Sequence, residues 1–231
     1  MKPRQRLLIF DIDGTLIRTG GAGRAAMNAA FASVLGIEDA TEGIDLGGRT
    51  DLGIAREVLR RENRPWNRDD VEKVFATYLK HLEPAVRNAP NYEIMPGVPS
   101  LLERLAPLPN VALGLGTGNI EGGARVKLRR GDLDRPFMFG GFGSDAEDRV
   151  ELLSIAATRG AALAGIPRAE CIPIIIGDTP RDIQAAKGLG APCIAVATGS
   201  FSREALREHE PEALLDGLDD PSAFDLLLTL S

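Results

Sequence analysis

Leu7-Leu8-Ile9-Phe10-Asp11-Ile12-Asp13-Gly14-Thr15-Leu16 is the stretch on which the reading of the whole chain turns. Four apolar residues in a row, stopped by an acid and then an Asp-Gly turn, have the character of a buried strand ending at Asp11. Two carboxylates two residues apart just past a strand end are able to face one crevice, and Gly14 permits the tight turn this needs. Compact apolar runs of the same kind recur at Val111 to Gly116, Ile172 to Ile176 and Cys193 to Ala197, with weaker ones at Phe137 to Phe142 and Ala213 to Leu215. Helical patterns lie between them, over Val98 to Leu105, Ile120 to Arg130, Glu147 to Leu163 and Arg181 to Leu189. Strands alternating with helices predict an α/β fold, a parallel sheet covered by helices on both faces. Ligands of such a sheet bind outside the carboxyl ends of its strands, near the switch in strand order.

The interval from Ile17 to Asn91 breaks the alternation. It carries three helical patterns, Gly23 to Leu35, Asp51 to Arg61 and Asp69 to Val86, and no convincing strand. Thr50 or Asp51 suits the N-cap of the second, and Asn67 that of the third. The division expected is therefore an α/β core made of residues 1–17 and 92–231, with an all-helical cap of residues 18–91 inserted after the first strand. Gly20 to Gly23 are placed to serve as its hinge, since small residues absorb backbone rotation.

Bulk properties narrow the function. The 231 residues carry a net charge of -6, and the basic clusters Arg60-Arg61 and Lys127 to Arg130 are short and read as solvated helix faces. A nucleic-acid partner is not expected. The basic N-terminus, Met1 to Arg6, is followed by too short an apolar run for a signal peptide, and no run is long enough to span a membrane, so a cytoplasmic enzyme is the expectation. Cys171 and Cys193, each beside an apolar run, read as buried reduced thiols.

Two further motifs match the first. Ile174-Ile175-Ile176-Gly177-Asp178-Thr179-Pro180-Arg181-Asp182 again runs a buried strand into a carboxylate, with a second acid one helical turn later and Pro180 fitting the first turn of a helix. Clustered oxygen ligands without His or Cys suit magnesium rather than zinc. Asp182 taken alone also fits a helix-start acid. Gly114-Leu115-Gly116-Thr117-Gly118-Asn119 yields to a hydroxyl, small residues and an amide at a helix start, where N–H groups and the Thr117 hydroxyl suit phosphate oxygens.

Asp-x-Asp-Gly-Thr, a Thr at the second strand end, a basic residue and Gly-Asp-x-x-x-Asp together resemble the haloacid dehalogenase superfamily, and the helical insertion resembles its C1-type cap. The nearest branches are phosphoglycolate phosphatase-like and β-phosphoglucomutase-like proteins. The resemblance implies a Rossmann-like core, with Asp11 as nucleophile and Asp13 as general acid/base. It implies Mg²⁺ held by Asp11, the backbone carbonyl of Asp13 and Asp178, with Asp182 acting through water. Thr117 and the amides of Gly118 and Asn119 would bind the transferring phosphoryl. The lysine usual before the last motif is missing from Gly143 to Arg149, and Arg149 is the candidate substitute, a planar donor fork in place of a point charge.

The cap supplies specificity in this reading. Arg49, in the glycine-rich turn Gly47-Gly48-Arg49-Thr50-Asp51, is placed to pair with a substrate carboxylate or phosphate. Trp66 and Tyr78 read as core. The function expected is a Mg²⁺-dependent phosphatase acting on a small phosphorylated metabolite through an aspartyl-phosphate, as a monomer or homodimer. A phosphosugar mutase is the alternative, and a phosphoacceptor signalling domain a remote one.

Overall fold

A computed structural model describes residues 4–230; the first three residues of the basic N-terminus lie outside the described range. The six-stranded sheet has the order β5-β4-β1-β6-β7-β8. Its strands are β1 (Gln5–Phe10), β4 (Val111–Thr117), β5 (Phe139–Phe142), β6 (Cys171–Gly177), β7 (Cys193–Val196) and β8 (Ala213–Leu215), and every neighbouring pair is parallel. β1 lies at the centre, with Phe10 level with Leu115 on one side and Ile176 on the other. The chain leaves β1 first toward β4 and later toward β6, so the strand order switches at β1 and the crevice opens beyond Phe10.

Side-chain alternation along β1 explains why both faces are covered. Leu8 and Phe10 join one apolar cluster with α4 (Val98–Leu105), α5 (Glu121–Arg129) and α9 (Ala223–Thr229). Leu7 and Ile9 join another with α6 (Arg149–Ala164), α7 (Pro180–Leu189) and Leu206 of α8 (Arg203–Arg207). All four are fully buried, and an unbroken apolar run is what a strand buried on both sides requires.

The inserted segment holds α1 (Ala22–Leu35), α2 (Asp51–Arg61) and α3 (Arg68–Asn88), which close around an apolar cluster including Phe31, Val58, Tyr78 and Leu82 that also takes in Ile120 before α5. Thr50 caps α2 by accepting from Gly53 N, and Asn67 caps α3 by accepting from Asp69 N and Asp70 N; each such cap is worth about 1 kcal/mol. Where the sequence offers no strand, two short ones flank the insertion: β2 (Ile17–Arg18) pairs antiparallel with β3 (Glu93–Ile94), tying the segment's two ends together. Two-residue strands carry too little pattern to be read from sequence. Trp66 departs from its expected core position: it is 38% exposed, with the Arg56 guanidinium 4.3 Å from its ring centroid. Tyr78 is buried as expected, and both cysteines are buried and free.

Candidate active site

Two strand ends and the first turn of a helix place the acids. Asp11 follows β1 and its amide donates to Ile176 O at 2.8 Å, which carries the ladder one residue past the strand. Asp178 follows β6 and accepts from Thr15 Oγ1 at 2.9 Å. Asp182 is the N3 residue of α7 in a capping box with Thr179. Carboxylate oxygens of Asp11, Asp178 and Asp182 lie within 4.8 Å of one another, all buried. Gly14, at φ +92°, is required here on two counts, since a Cβ on it would also sit 2.3 Å from Asp178 Oδ2.

Arg149 enters this cluster from the first turn of α6. Its Nη2 lies 3.3 Å from Asp11 Oδ2 and pairs with Asp182 Oδ1, while Nη1 donates to Gly48 O at 3.2 Å across the insertion. The guanidinium is buried, and its Nε has no hydrogen-bond partner among the described residues. Both Asp182 oxygens are engaged, Oδ2 by Thr179 N and Oγ1 and Oδ1 by Arg149.

Burial pushes Asp11 up to about 6, against the pull of Arg149 and with the Asp182 and Asp13 carboxylates adding to the rise. Burial and then the Asp11 and Asp182 charges hold Asp178 well above the usual carboxylate range. Burial works against the Arg149 cation, yet the Asp182 and Asp11 carboxylates outweigh it and hold its pKa above the ordinary value. When all three are ionised, the carboxylates outnumber the one guanidinium by two charges, and hard oxygen donors with that excess fit a divalent cation such as Mg²⁺.

A second group gathers around Asp13. Asn119 Nδ2 donates to Asp13 Oδ2 at 2.8 Å and to Thr117 Oγ1 at 2.8 Å. Lys127 Nζ donates to the same Asp13 oxygen at 2.6 Å and to Asn119 Oδ1 at 2.6 Å. This corrects the reading of Lys127 to Arg130 as a solvated face: Lys127 is 5% exposed and points into the pocket. The signal was present in the helical period, because Ile120, Gly123, Ala124 and Lys127 share one face of α5. Thr117, at the end of β4, is fully buried, and the Asn119 amide leans on its hydroxyl at 3.3 Å.

Asp11, Asp178 and Arg149 of the first group and all of the second line one pocket of about 460 Å³, which also takes in Gly118, Asp51, Tyr78 and the exposed Arg49. The insertion forms part of its wall through contacts at the start of α2. The Asp51 amide donates to Gly118 O at 2.7 Å, and Asp51 Oδ2 accepts from Ile120 N at 2.8 Å. Thr50 Oγ1 donates to Glu147 O at 3.1 Å, and Arg56 pairs with Glu147 at 2.6 Å. Burial pushes Asp51 up to about 6, with Lys127 and the Ile120 amide opposing it.

Beside the switch point of a parallel sheet, buried carboxylates thus gather from two strand ends and one helix start, the arrangement that the motifs indicated. Residues 8–196 match the family of haloacid dehalogenase-like hydrolases, and the chain belongs to that family. It is 27% identical over 225 residues to phosphoglycolate phosphatase 1 of Pseudomonas aeruginosa, an alignment covering 93% of this chain and 78% of that one. A hydrolase from Pseudomonas syringae superposes with a TM-score of 0.67 at 20% identity, covering 97% and 96% of the two chains. A protein provisionally named a β-phosphoglucomutase, from Bacteroides vulgatus, gives 0.68 at 18% identity over 98% and 89%. At those identities the two structures speak for the fold.

Proposed function

We propose that this hydrolase is a Mg²⁺-dependent phosphatase that transfers the phosphoryl group of a small phosphomonoester to Asp11 and then hydrolyses the aspartyl-phosphate. The observation that carries the reading is the placement of Asp11: buried at the pocket floor, 3.3 Å from the Arg149 guanidinium, inside the oxygen cluster with Asp178 and two residues before Asp13. Likeness to a phosphoglycolate phosphatase supports it.

A carboxylate approaching a phosphate dianion meets repulsion of about 4 kcal/mol per charge pair at 4 Å and an effective dielectric near 20. Arg149 offsets part of this from within the cluster. Mg²⁺ held by Asp11, the Asp13 carbonyl and Asp178 would supply the remaining charge neutralisation. Asp11 attacks phosphorus and Asp13 delivers a proton to the leaving oxygen; the same Asp13 then takes a proton from the water that attacks the aspartyl-phosphate. The Thr117 hydroxyl and the Gly118 and Asn119 amides cradle the transferring oxygens. Residues 1–17 and 92–231 form the core in this reading and residues 18–91 the cap, a division supported by an apolar cluster drawn mostly from the inserted helices. Arg49 faces the part of the substrate beyond the phosphate.

Phosphate release from a panel of small phosphomonoesters, with Mg²⁺ or EDTA, tests this in wild type and Asp11→Asn. Turnover that needs the metal and falls to background in the variant is expected. Equal rates in both proteins would remove Asp11 as nucleophile. Isomerisation of a sugar phosphate without release would replace the phosphatase with a mutase.

A further inference from the structure

The Asp13 carboxylate stands on a loop past a strand end with its side chain 42% exposed, so its own backbone does little to fix its orientation. What fixes it is a short chain of donors: Thr117 Oγ1 accepts from Asn119 Nδ2, which also donates to Asp13 Oδ2, and Lys127 Nζ donates to both Asp13 Oδ2 and Asn119 Oδ1. Lys127 is the member the motifs do not account for. Its side chain is 6% exposed, and a buried ammonium costs several kcal/mol unless its donors are satisfied. Two of its three donors are used on these partners.

Its surroundings are built around it. A Cβ on Gly23, in the first turn of α1, would lie at ordinary contact distance, 3.4 Å from Lys127 Nζ and 4.0 Å from the Tyr78 hydroxyl, so the insertion covers the ammonium on that side. The Asp51 carboxylate, which binds Ile120 N at the start of α5, lies close enough that Lys127 opposes the burial-driven rise in its pKa. Lys127 thus touches the acid/base loop, the phosphate-loop amide and the wall contributed by the inserted helices.

We propose that Lys127 is a positioning residue for Asp13: with Asn119 it pins Oδ2, so that Oδ1, which no donor reaches among the described residues, is the oxygen that exchanges the proton with the leaving group and the water. The proposal rests on the acid/base role assigned to Asp13 above. The dependence on leaving group separates it from a structural role, because a p-nitrophenolate leaves without help from an acid and an alkoxide does not.

The experiment compares kcat/KM for an alkyl phosphomonoester and for p-nitrophenyl phosphate, both with Mg²⁺, in wild type, Lys127→Met and Asp13→Asn. Methionine keeps the length and the buried apolar stem, and the half-exposed Asp13 can turn to water, so the fold is expected to survive. Lys127→Met should lose about 10²-fold on the alkyl ester and no more than about threefold on the aryl ester, in the same sense as Asp13→Asn. Equal losses on both esters, or none, would overturn the positioning role. An Asp13→Asn variant with no preference between the esters would instead remove the acid/base reading, and the positioning role with it. A double-mutant cycle on thermal stability reads the pair without turnover: non-additive shifts are expected, and additive ones would mean that the two side chains are not coupled.

Discussion

Arg149 shows at the residue scale why type and not only charge matters in this pocket. One fork reaches Asp11, Asp182, Gly116 O and Gly48 O, four acceptors from four parts of the chain. A lysine offers a point charge that cannot span them. Arg149→Lys is therefore expected to keep the fold but lose about 10²-fold in kcat/KM, the usual cost of a misplaced donor at a site of developing charge; steady-state kinetics on the best ester of the panel would show it, and an unchanged value would reduce Arg149 to a counter-ion. Asp51 provides a prediction in pH. Its folded pKa of about 6 lies above the unfolded value near 3.8, so the folded protein holds that proton more tightly. The stability this contributes is complete below about pH 4 and is lost as pH rises through about 6. Relative to Asp51→Asn, the wild type should lose about 3 kcal/mol between those limits, read by denaturant unfolding of both proteins across the range. Parallel pH profiles would mean that Asp51 stays ionised in its pocket.

At the scale of elements, the strand-to-acid junctions were legible because each obeys a local rule. An unbroken apolar run ending in Asp11 or Asp178 has few other readings, and the caps Thr50 and Asn67 follow from side-chain chemistry within three residues. Lys127 was hidden by its neighbours Arg129 and Arg130, whose exposure gives the run a surface look, although its place on the helical face of Ala124 speaks otherwise. Asn119 was noticed for its backbone, yet its side chain makes the link to Asp13, a tertiary contact with no sequence-local trace. The close approach of Gly118 to the insertion is similarly invisible. A Cβ there would sit 2.0 Å from Arg49 O. Gly118→Ala should consequently push the turn at residues 47–50 away and break the bond from the Asp51 amide to Gly118 O. Hydrogen exchange at the start of α2 should speed by about tenfold, corresponding to about 1.4 kcal/mol of lost protection, with KM rising in step. Unchanged exchange there would show that the turn is held by its other contacts alone.

Across the whole molecule, one cluster of charge sets the stability of a fold otherwise held by three apolar clusters. The excess of carboxylate over guanidinium around Asp11, Asp178 and Asp182 is a cost that the apolar packing of β1 and β6 must outweigh, and burial raises that cost for each ionised carboxylate, which is why Asp11 and Asp178 are both pushed toward their neutral forms. A divalent cation that binds the folded chain alone stabilises it by about 2.7 kcal/mol at a hundred times its dissociation constant, or roughly 5–10 °C for a chain of this size. Thermal unfolding with EDTA and with increasing Mg²⁺ should show that rise in wild type. Asp178→Asn keeps the side-chain shape and the acceptor for Thr15 Oγ1 but removes the group whose ionisation burial and the neighbouring carboxylates oppose. Its melting temperature in EDTA should therefore exceed that of the wild type by a few degrees, while most of the response to Mg²⁺ disappears. Those two shifts have opposite signs, so a general loss of packing cannot imitate them. A variant less stable in EDTA that still responds fully to Mg²⁺ would place the cation elsewhere and leave Asp178 a hydrogen-bond acceptor for Thr15.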